Sequence, residues 1–326
     1  MSGFLAYKFP GKEKIVQSGD WEKTTMESLP EDRFFFSDFQ KQICYAFNPS
    51  NGSIEEDKVL FSYRTMNDVF VANRNSYLNG LDIFMHEFEP RGIEKAVLSR
   101  INVVEKEKDI SLIDFFHKLS DAYGDEALVY LATDPQFGTW IGATPETLVR
   151  GGDLGIRSMA LAGTKDSEEA EWTEKEYHEQ ELVASYVEEM VKAQSPTKFE
   201  KSKVETVKNG AVYHLRTNYS FDLPAYKWNA LIDSLHPTPA VCGSPRELAM
   251  ELIRDYEPHD REFYTGLVGM KGLTSLEVYV NLRCMQVLED NFALYVGGGI
   301  TEDSDLASEW RETETKSQTL LNILRD

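Results

Sequence analysis

The sequence predicts an α+β protein: large, mostly antiparallel β-sheets with helices packed around them. Three observations lead there. Strand-like runs come in clusters, and the helix-like runs between them lack the regular alternation that builds a parallel sheet. The chain has 326 residues, of which 41% are hydrophobic and 12% aromatic, enough to bury a sizeable core. No stretch has the composition of an interior linker, and there is no internal repeat.

The elements follow in order. Residues 1–85 read as short strands and turns, with "RFFFSDF" and "QICYAF" as aromatic strands and "NPSNGS" as a turn. This strand-rich segment is expected to join the same globule as residues 86–326. "KAVLSRINVVE" (95–105) is a strand. "ISLIDFFHKLSDAYG" (110–124) carries apolar residues at helical spacing and stops at Gly124. "ALVYLAT", "GTWIGAT", "ETLVRGG" and "GIRSMALAGT" are four strands. A helix is predicted from Glu168 to Lys192, with Leu182, Val183, Tyr186, Val187 and Met190 as its apolar stripe. "KFEKSKVETVKNGAVYHLRTNYSFDL" reads as a hairpin turning at Asn209-Gly210. "AYKWNALIDSLH" and "SPRELAMELIRDY" are helices, the second starting at Ser244-Pro245. "EVYVNLRCMQVLED" and "NFALYVGGG" form another hairpin, and a last helix runs from Asp303 to Leu324.

The formal net charge of −21 argues against nucleic acid or an anionic membrane surface as partners. No run is a plausible membrane span, and "MSGFLAYKFPGKEK" is a poor signal peptide. The three cysteines, Cys44, Cys242 and Cys284, are too scattered for a disulfide framework or a thiolate metal site, so the expected compartment is the reducing cytoplasm.

Two groups of residues carry candidate chemistry. Gly297, Gly298 and Gly299 end an apolar run ahead of an acidic helix. Such a triplet permits close approach by a ligand and offers amides to an anion, though a tight strand-to-helix turn would use it equally well. Glu309, Glu312 and Lys316 share one face of the last helix, and Glu176 and Glu179 repeat the three-residue spacing on the earlier one. These acids could be solvated faces. If the two helices meet, they could instead hold a hard cation such as Mg²⁺, whose shell a substrate carboxylate would complete. "LHPTPAVCGSP" (235–245) is stiff and irregular, and its His236 could be structural.

Five separated strings, "ALAGT", "LHPTPAVCGSP", "FYTGLVG", "YVNLRC" and "GGGITEDSDLASEWRETETK", together resemble the chorismate-utilising enzymes in order and spacing, over roughly residues 90 to 326. The resemblance implies the fold of anthranilate synthase component I, with residues 86–326 as the chorismate-binding catalytic domain, and a small-molecule substrate, chorismate. It implies Lys95, in "EKAVLSR", as the base that activates water, where ammonia-using relatives usually carry glutamine. It implies Glu146, in "GATPETLV", as the acid that protonates the departing C4 hydroxyl. Ala162 stands where aminodeoxychorismate synthases have a nucleophilic lysine.

On the same footing Gly163 and Thr164 contact substrate, and Glu179 and Glu312 bind Mg²⁺ with Glu176 and Glu309 beside them. Arg283 and Tyr264 meet the enolpyruvyl carboxylate, Lys316 and the amides around Gly297 and Gly299 complete the cradle, and His236 lies near the ring. The implied activity is isochorismate synthase, an isomerase feeding menaquinone or siderophore synthesis. Salicylate synthase is the alternative; anthranilate synthase component I and a non-catalytic phosphate- or nucleotide-binding domain rank below it. The expected assembly is a monomer or weak homodimer without a glutamine amidotransferase subunit.

Overall fold

The computed structural model describes residues 3–325 apart from 53, 108, 109, 166, 210 and 211. Two residues of the expected turns, Ser53 and Gly210, therefore lie outside the described residues. The described chain forms β1 (Gly3–Lys8), β2 (Ile15–Thr24), β3 (Arg33–Ser37), β4 (Cys44–Pro49), α1 (Arg74–His86), α2 (Phe88–Arg91), β5 (Lys95–Glu105), α3 (Leu112–Tyr123), β6 (Leu128–Asp134), β7 (Gly138–Thr144), β8 (Thr147–Gly152), β9 (Gly155–Lys165), α4 (Glu174–Ala193), β10 (Phe199–Lys201), β11 (Glu205–Asn209), β12 (Val212–Phe221), α5 (Trp228–Leu235), β13 (Gly243–Ser244), α6 (Arg246–Tyr256), β14 (Leu267–Lys271), β15 (Ser275–Val280), β16 (Cys284–Val287), β17 (Asn291–Ile300) and α7 (Leu306–Arg325).

The strands join in one antiparallel ladder. One half runs β13-β5-β17-β16-β7-β6-β1-β2. The other runs β4-β3-β14-β15-β8-β9-β12, with β10 and β11 both on β12, and the β2–β4 pairing links the halves. The fold is thus α+β, as the clustered strands predict. Strands of the first 50 residues reach far along the chain, β1 pairing with β6 and β3 with β14.

Alternation along the strands shows how the halves stack. Leu5 and Tyr7 of β1, Phe34 and Phe36 of β3 and Tyr130 of β6 all enter one aromatic-rich cluster between the two halves. Their neighbours point the other way. Phe4, Ala6, Val129 and Leu131 pack under α3 and α7, and Phe35 joins the cluster beneath α4 and α5. Successive strand side chains face opposite ways, so a sheet with both faces apolar must be covered on both. Helices α1, α2 and α6 close a further cluster against β5.

The structure corrects four readings. Residues 74–86 are a helix, not strands and turns: Tyr77, Leu81, Phe84 and Phe88 repeat at helical spacing and are buried, and the Asn73 side chain accepts from the Ser76 amide at 2.9 Å to cap the start. The helix expected from Glu168 begins at Glu174, where Thr173 and Glu176 form a capping box. The glycine triplet is no turn. Gly297, Gly298 and Gly299 lie inside β17 opposite Ser99, Leu98 and Val97. Finally, "EVYVNLRCMQVLED" is two strands. β15 belongs to one half of the ladder and β16 to the other, and the chain crosses between them at Asn281–Arg283, where Arg283 takes a φ of 47°.

A second crossover lies beside it. β7 and β8 also belong to different halves, and the chain passes between them at Pro145-Glu146. The crossovers bind each other: Val280 N donates to Glu146 O at 2.9 Å, Ala143 N donates to Arg283 O at 3.0 Å, and Thr144 Oγ1 donates to Val280 O. Two titratable side chains, Glu146 and Arg283, are thereby fixed at the seam of the fold.

Candidate active site

A pocket opens at this seam. Its walls include Lys95, Glu146, Gly163, Thr164, Glu179, His214, Tyr264, Arg283, the glycine triplet, Glu312 and Lys316. The free space among these walls, open solvent at the mouth included, is about 710 Å³.

Lys95 is the first residue of β5 and is 2% exposed. Its Nζ stands 4.0 Å from Glu179 Oε2, too far for a hydrogen bond, and it makes no hydrogen bond to a protein group among the described residues. Gly299 is what lets it lie there. A Cβ at that position would come within 2.6 Å of Lys95 Cε. The triplet thus serves close approach, as expected, but by side chains across a paired strand instead of through a turn.

Glu146 lies at the first crossover. Burial pushes its carboxyl up to about 7, against the pull of the Lys95, Arg283 and Lys316 charges. It therefore holds its proton to near-neutral pH. A buried amine without a hydrogen bond and a protonated carboxylic acid thus face one cavity.

Arg283, at the second crossover, is held by a histidine that the sequence reading passed over. His214 Nδ1 lies 2.7 Å from Gly163 O, so Nδ1 carries the proton and donates; Nε2 then accepts from Arg283 Nη2 at 3.3 Å. Burial, followed by the Arg283 and Lys316 charges, lowers His214 to about 3 and keeps it neutral. The carbonyl that fixes this tautomer is itself set by a bulge. Tyr213 pairs with Lys165 and Leu215 with Ala162, leaving Gly163 and Thr164 opposite His214 alone. Gly163 has a φ of +67°, and a Cβ there would sit 3.1 Å from Glu176. Nothing in the alternating run "VYHLRTNYSF" marks His214 as a site residue.

His236 is a correction. It follows α5, is 1% exposed, and donates from Nε2 to Phe39 O at 3.1 Å, with its ring edge-on to Phe39. It does not line the pocket. The tight "LHPTPAVCGSP" segment turns the ring inward toward the N-terminal strands, so it pins that segment to Phe39.

The acidic helices do meet. α4 and α7 bring Glu179, Glu309 and Glu312 together behind the glycine triplet, each near a lysine. Glu179 has Lys95 at 4.0 Å, Glu309 has Lys175 at 2.8 Å, and Glu312 has Lys316 at 2.5 Å. Lys316 also donates to Gly297 O at 2.9 Å. Burial raises the Glu179 and Glu309 carboxyls, and the neighbouring Glu312 charge adds to both. For Glu312 burial acts upward, yet Lys316 outweighs it and the carboxyl is lowered. Glu176 departs from expectation: its Oε2 accepts from Thr173 N at 2.8 Å and Thr173 Oγ1 at 2.6 Å, so it caps α4 and leaves the cluster.

This donor set fits Mg²⁺. Among the described residues no three Asp, Glu, His or Cys groups form a protein-only metal cage. Mg²⁺ does not ask for one; it is usually held by one or two carboxylates and keeps waters and a substrate anion. Glu309 Oε2 is buried without a hydrogen-bond partner, and a Cβ on Gly298 would lie 3.0 Å from it and 3.6 Å from Glu312 Oε1. Two carboxylate oxygens thus flank one glycine at the pocket's edge. Tyr264 Oη reaches the same edge, 3.0 Å from where a Cβ on Gly297 would be.

A family model described as "Chorismate binding enzyme" matches residues 35–325. The chain belongs to the chorismate-binding enzyme family. Similar curated members include the vibriobactin-specific isochorismate synthase of Vibrio cholerae, 31% identical over 75% of this chain, and isochorismate synthase EntC of Escherichia coli, 32% identical over 57% of it. These alignments span 65% and 51% of the two relatives' own length. Two solved structures share the fold: MenF, the menaquinone-specific isochorismate synthase from Escherichia coli (TM-score 0.79, 20% identity, 99% of this chain and 88% of that one), and anthranilate synthase component I from Streptococcus pneumoniae (0.71, 15%, 97% and 89%). No described helix is long and apolar enough to cross a membrane.

Proposed function

We propose that this member of the family is an isochorismate synthase that interconverts chorismate and isochorismate with Mg²⁺. The observation that carries the reading is the pairing, in one cavity, of the buried Lys95 amine, free of hydrogen bonds, with the protonated Glu146. In the forward direction Lys95 takes a proton from water as its oxygen attacks C2. The ring double bonds shift, and Glu146 gives its proton to the hydroxyl leaving C4. Water is consumed and released, so the reaction is an isomerisation and runs both ways.

Arg283, held by neutral His214, offers its guanidinium to the enolpyruvyl carboxylate, with Tyr264 beside it. Lys316 and the Gly163–Thr164 bulge bound the rest of the cavity. Glu179 and Glu312, with Glu309 between them, would hold Mg²⁺, which supplies positive charge for the ring carboxylate. Ala162, on the pocket wall, gives no amine for a covalent adduct at C2. The product would feed menaquinone or catechol-siderophore synthesis.

The test is to incubate the protein with chorismate and Mg²⁺, without ammonia, and separate the products by chromatography. Isochorismate is expected. Salicylate with pyruvate would assign the longer reaction, and unchanged chorismate would refute the proposal.

A further inference from the structure

A second cavity adjoins the catalytic pocket, and its charge does not follow that of the chain. Strands β8, β9 and β12 are covered by α4 on one face, where Ile156, Ala160, Ala162, Tyr219 and Phe221 pack with Val183 and Val187. The opposite face is bordered by Ala122 and Tyr123 of α3 and Thr319 of α7. Arg157, Met159 and Leu161 of β9 and Arg216 and Asn218 of β12 lie on it, as the floor of a groove with about 2,420 Å³ of free space out to its mouth. Pro145 and Leu161 line both the groove and the catalytic pocket. The groove and the pocket therefore share a wall next to Glu146.

Arg150 and Arg157 are directly opposite each other across β8 and β9. Like charges in that position destabilise an antiparallel pair, and nothing nearby fully relieves them. Arg150 comes no nearer than 3.6 Å to Glu277, and Arg157 forms no ion pair among the described residues. Lys201, Lys208 and Arg216 add three more cations to the walls, of which Lys201 is paired with Glu188 at 2.7 Å and Arg216 with Glu205 at 2.9 Å. Against these five stand Asp125, already tied to Lys8 at 3.2 Å, with Glu126 and Glu200. Arg150, Arg157 and Lys208 then remain against Glu126 and Glu200, a slight positive excess beside the reaction site in a chain of net charge −21. Chorismate carries two carboxylates, and the bulk of the protein repels them.

We propose that this groove is the route by which the dicarboxylate reaches the pocket, with Arg150 and Arg157 drawing the anion along the sheet face. This rests on the isochorismate synthase reading. Charged clefts of this kind speed association by about 10- to 1,000-fold, and the gain falls steeply with salt. The opposed arginines are then kept for attraction at some expense of strand pairing.

The experiment measures chorismate association by stopped-flow protein fluorescence, alongside steady-state turnover, for wild type and Arg150→Gln/Arg157→Gln. At low ionic strength the double variant should bind roughly 10-fold more slowly, with kcat unchanged. The difference should vanish near 1 M salt, where the screening length is about 3 Å. Its Tm should equal or exceed that of wild type, because a repulsion has been removed; a structural role would lower it. Arg157→Glu alone, which changes the charge by the same two units, should slow association to a similar extent. Association rates and salt dependence like those of wild type, in a wild-type protein that turns chorismate over, would overturn this proposal and leave the catalytic reading intact. A wild type that neither binds nor converts chorismate would overturn both.

Discussion

The two walls of the pocket are built on different principles. The strand wall carries Lys95, Glu146 and Arg283, each fixed by backbone: Lys95 by its pairing with Ser244 at the start of β5, the other two by crossovers that bind each other. Their side chains are positioned by hydrogen bonds made elsewhere, which leaves the Lys95 amine and the Glu146 carboxyl free to exchange protons. The helix wall carries Glu179, Glu309 and Glu312, the last two paired with Lys175 and Lys316. Its positions depend on side-chain pairs that a divalent cation can loosen or replace. The contrast teaches that proton transfer sits on the rigid wall and charge balancing on the adjustable one.

The largest expected effect is on the adjustable wall. Excess chelator, or Glu312→Ala, should abolish turnover of chorismate while the circular dichroism stays native, since the remaining groups cannot neutralise the ring carboxylate. Full activity in chelator would break the assignment. Next come the proton carriers. Lys95→Gln and Glu146→Gln should each slow both directions of the reaction by about 100- to 10,000-fold, the usual worth of a positioned acid or base, with chorismate binding retained in equilibrium titrations. Near wild-type turnover by either variant removes that residue from the mechanism. Arg283→Ala loses a charge-assisted hydrogen bond worth on the order of 1.5–3 kcal/mol, so kcat/KM should fall about 10- to 150-fold; a change below about twofold would show the guanidinium to be unused.

Stability against pH separates the walls more gently. Glu146 is raised from 4.5 to about 7 by burial, so the folded state holds the extra proton between those values. Its contribution to stability is complete below about 4.5 and is lost as pH rises through 7. Glu146→Gln should remove that loss, on the order of 3 kcal/mol at pH 8; parallel Tm–pH curves for variant and wild type would contradict it. The same proton sets the alkaline limb of kcat/KM. The smallest effect concerns the two buried histidines, both lowered to about 3 chiefly by burial. Each favours folding above about 6.5, and that contribution is lost as pH falls toward 3. His236→Gln should cost stability alone, about 0.5–1.5 kcal/mol, whereas His214→Gln should also raise KM by releasing Arg283. Equal kinetics in the two variants would erase the distinction.

Much was legible in advance. Alternating and helical apolar spacing marked most strands and the helices α3, α4, α5, α6 and α7, because burial of one face leaves a period in the sequence. The α1 helix was missed although Tyr77, Leu81, Phe84 and Phe88 keep that period; Gly80 within it and the surrounding turn-rich stretch masked the signal. The acidic spacings on the two late helices were readable as well, since residues three apart share a helical face.

By itself the sequence determined which residue types were present for the chemistry and which local elements bore them. It could not separate Glu176 from Glu179, the same side chain three residues apart on one helix, nor show that His214 and not His236 meets the pocket. The tertiary structure decided that one glutamate caps a helix while the other faces the cavity, and that one histidine pins a loop while the other orients an arginine. It also turned the glycine triplet from a supposed turn into a strand with room for Lys95. The physical reason is that burial, charge neighbours and hydrogen-bond partners are set by contacts between segments over a hundred residues apart, such as β5 with β17, and no local pattern encodes which of two equivalent side chains such a contact will enclose.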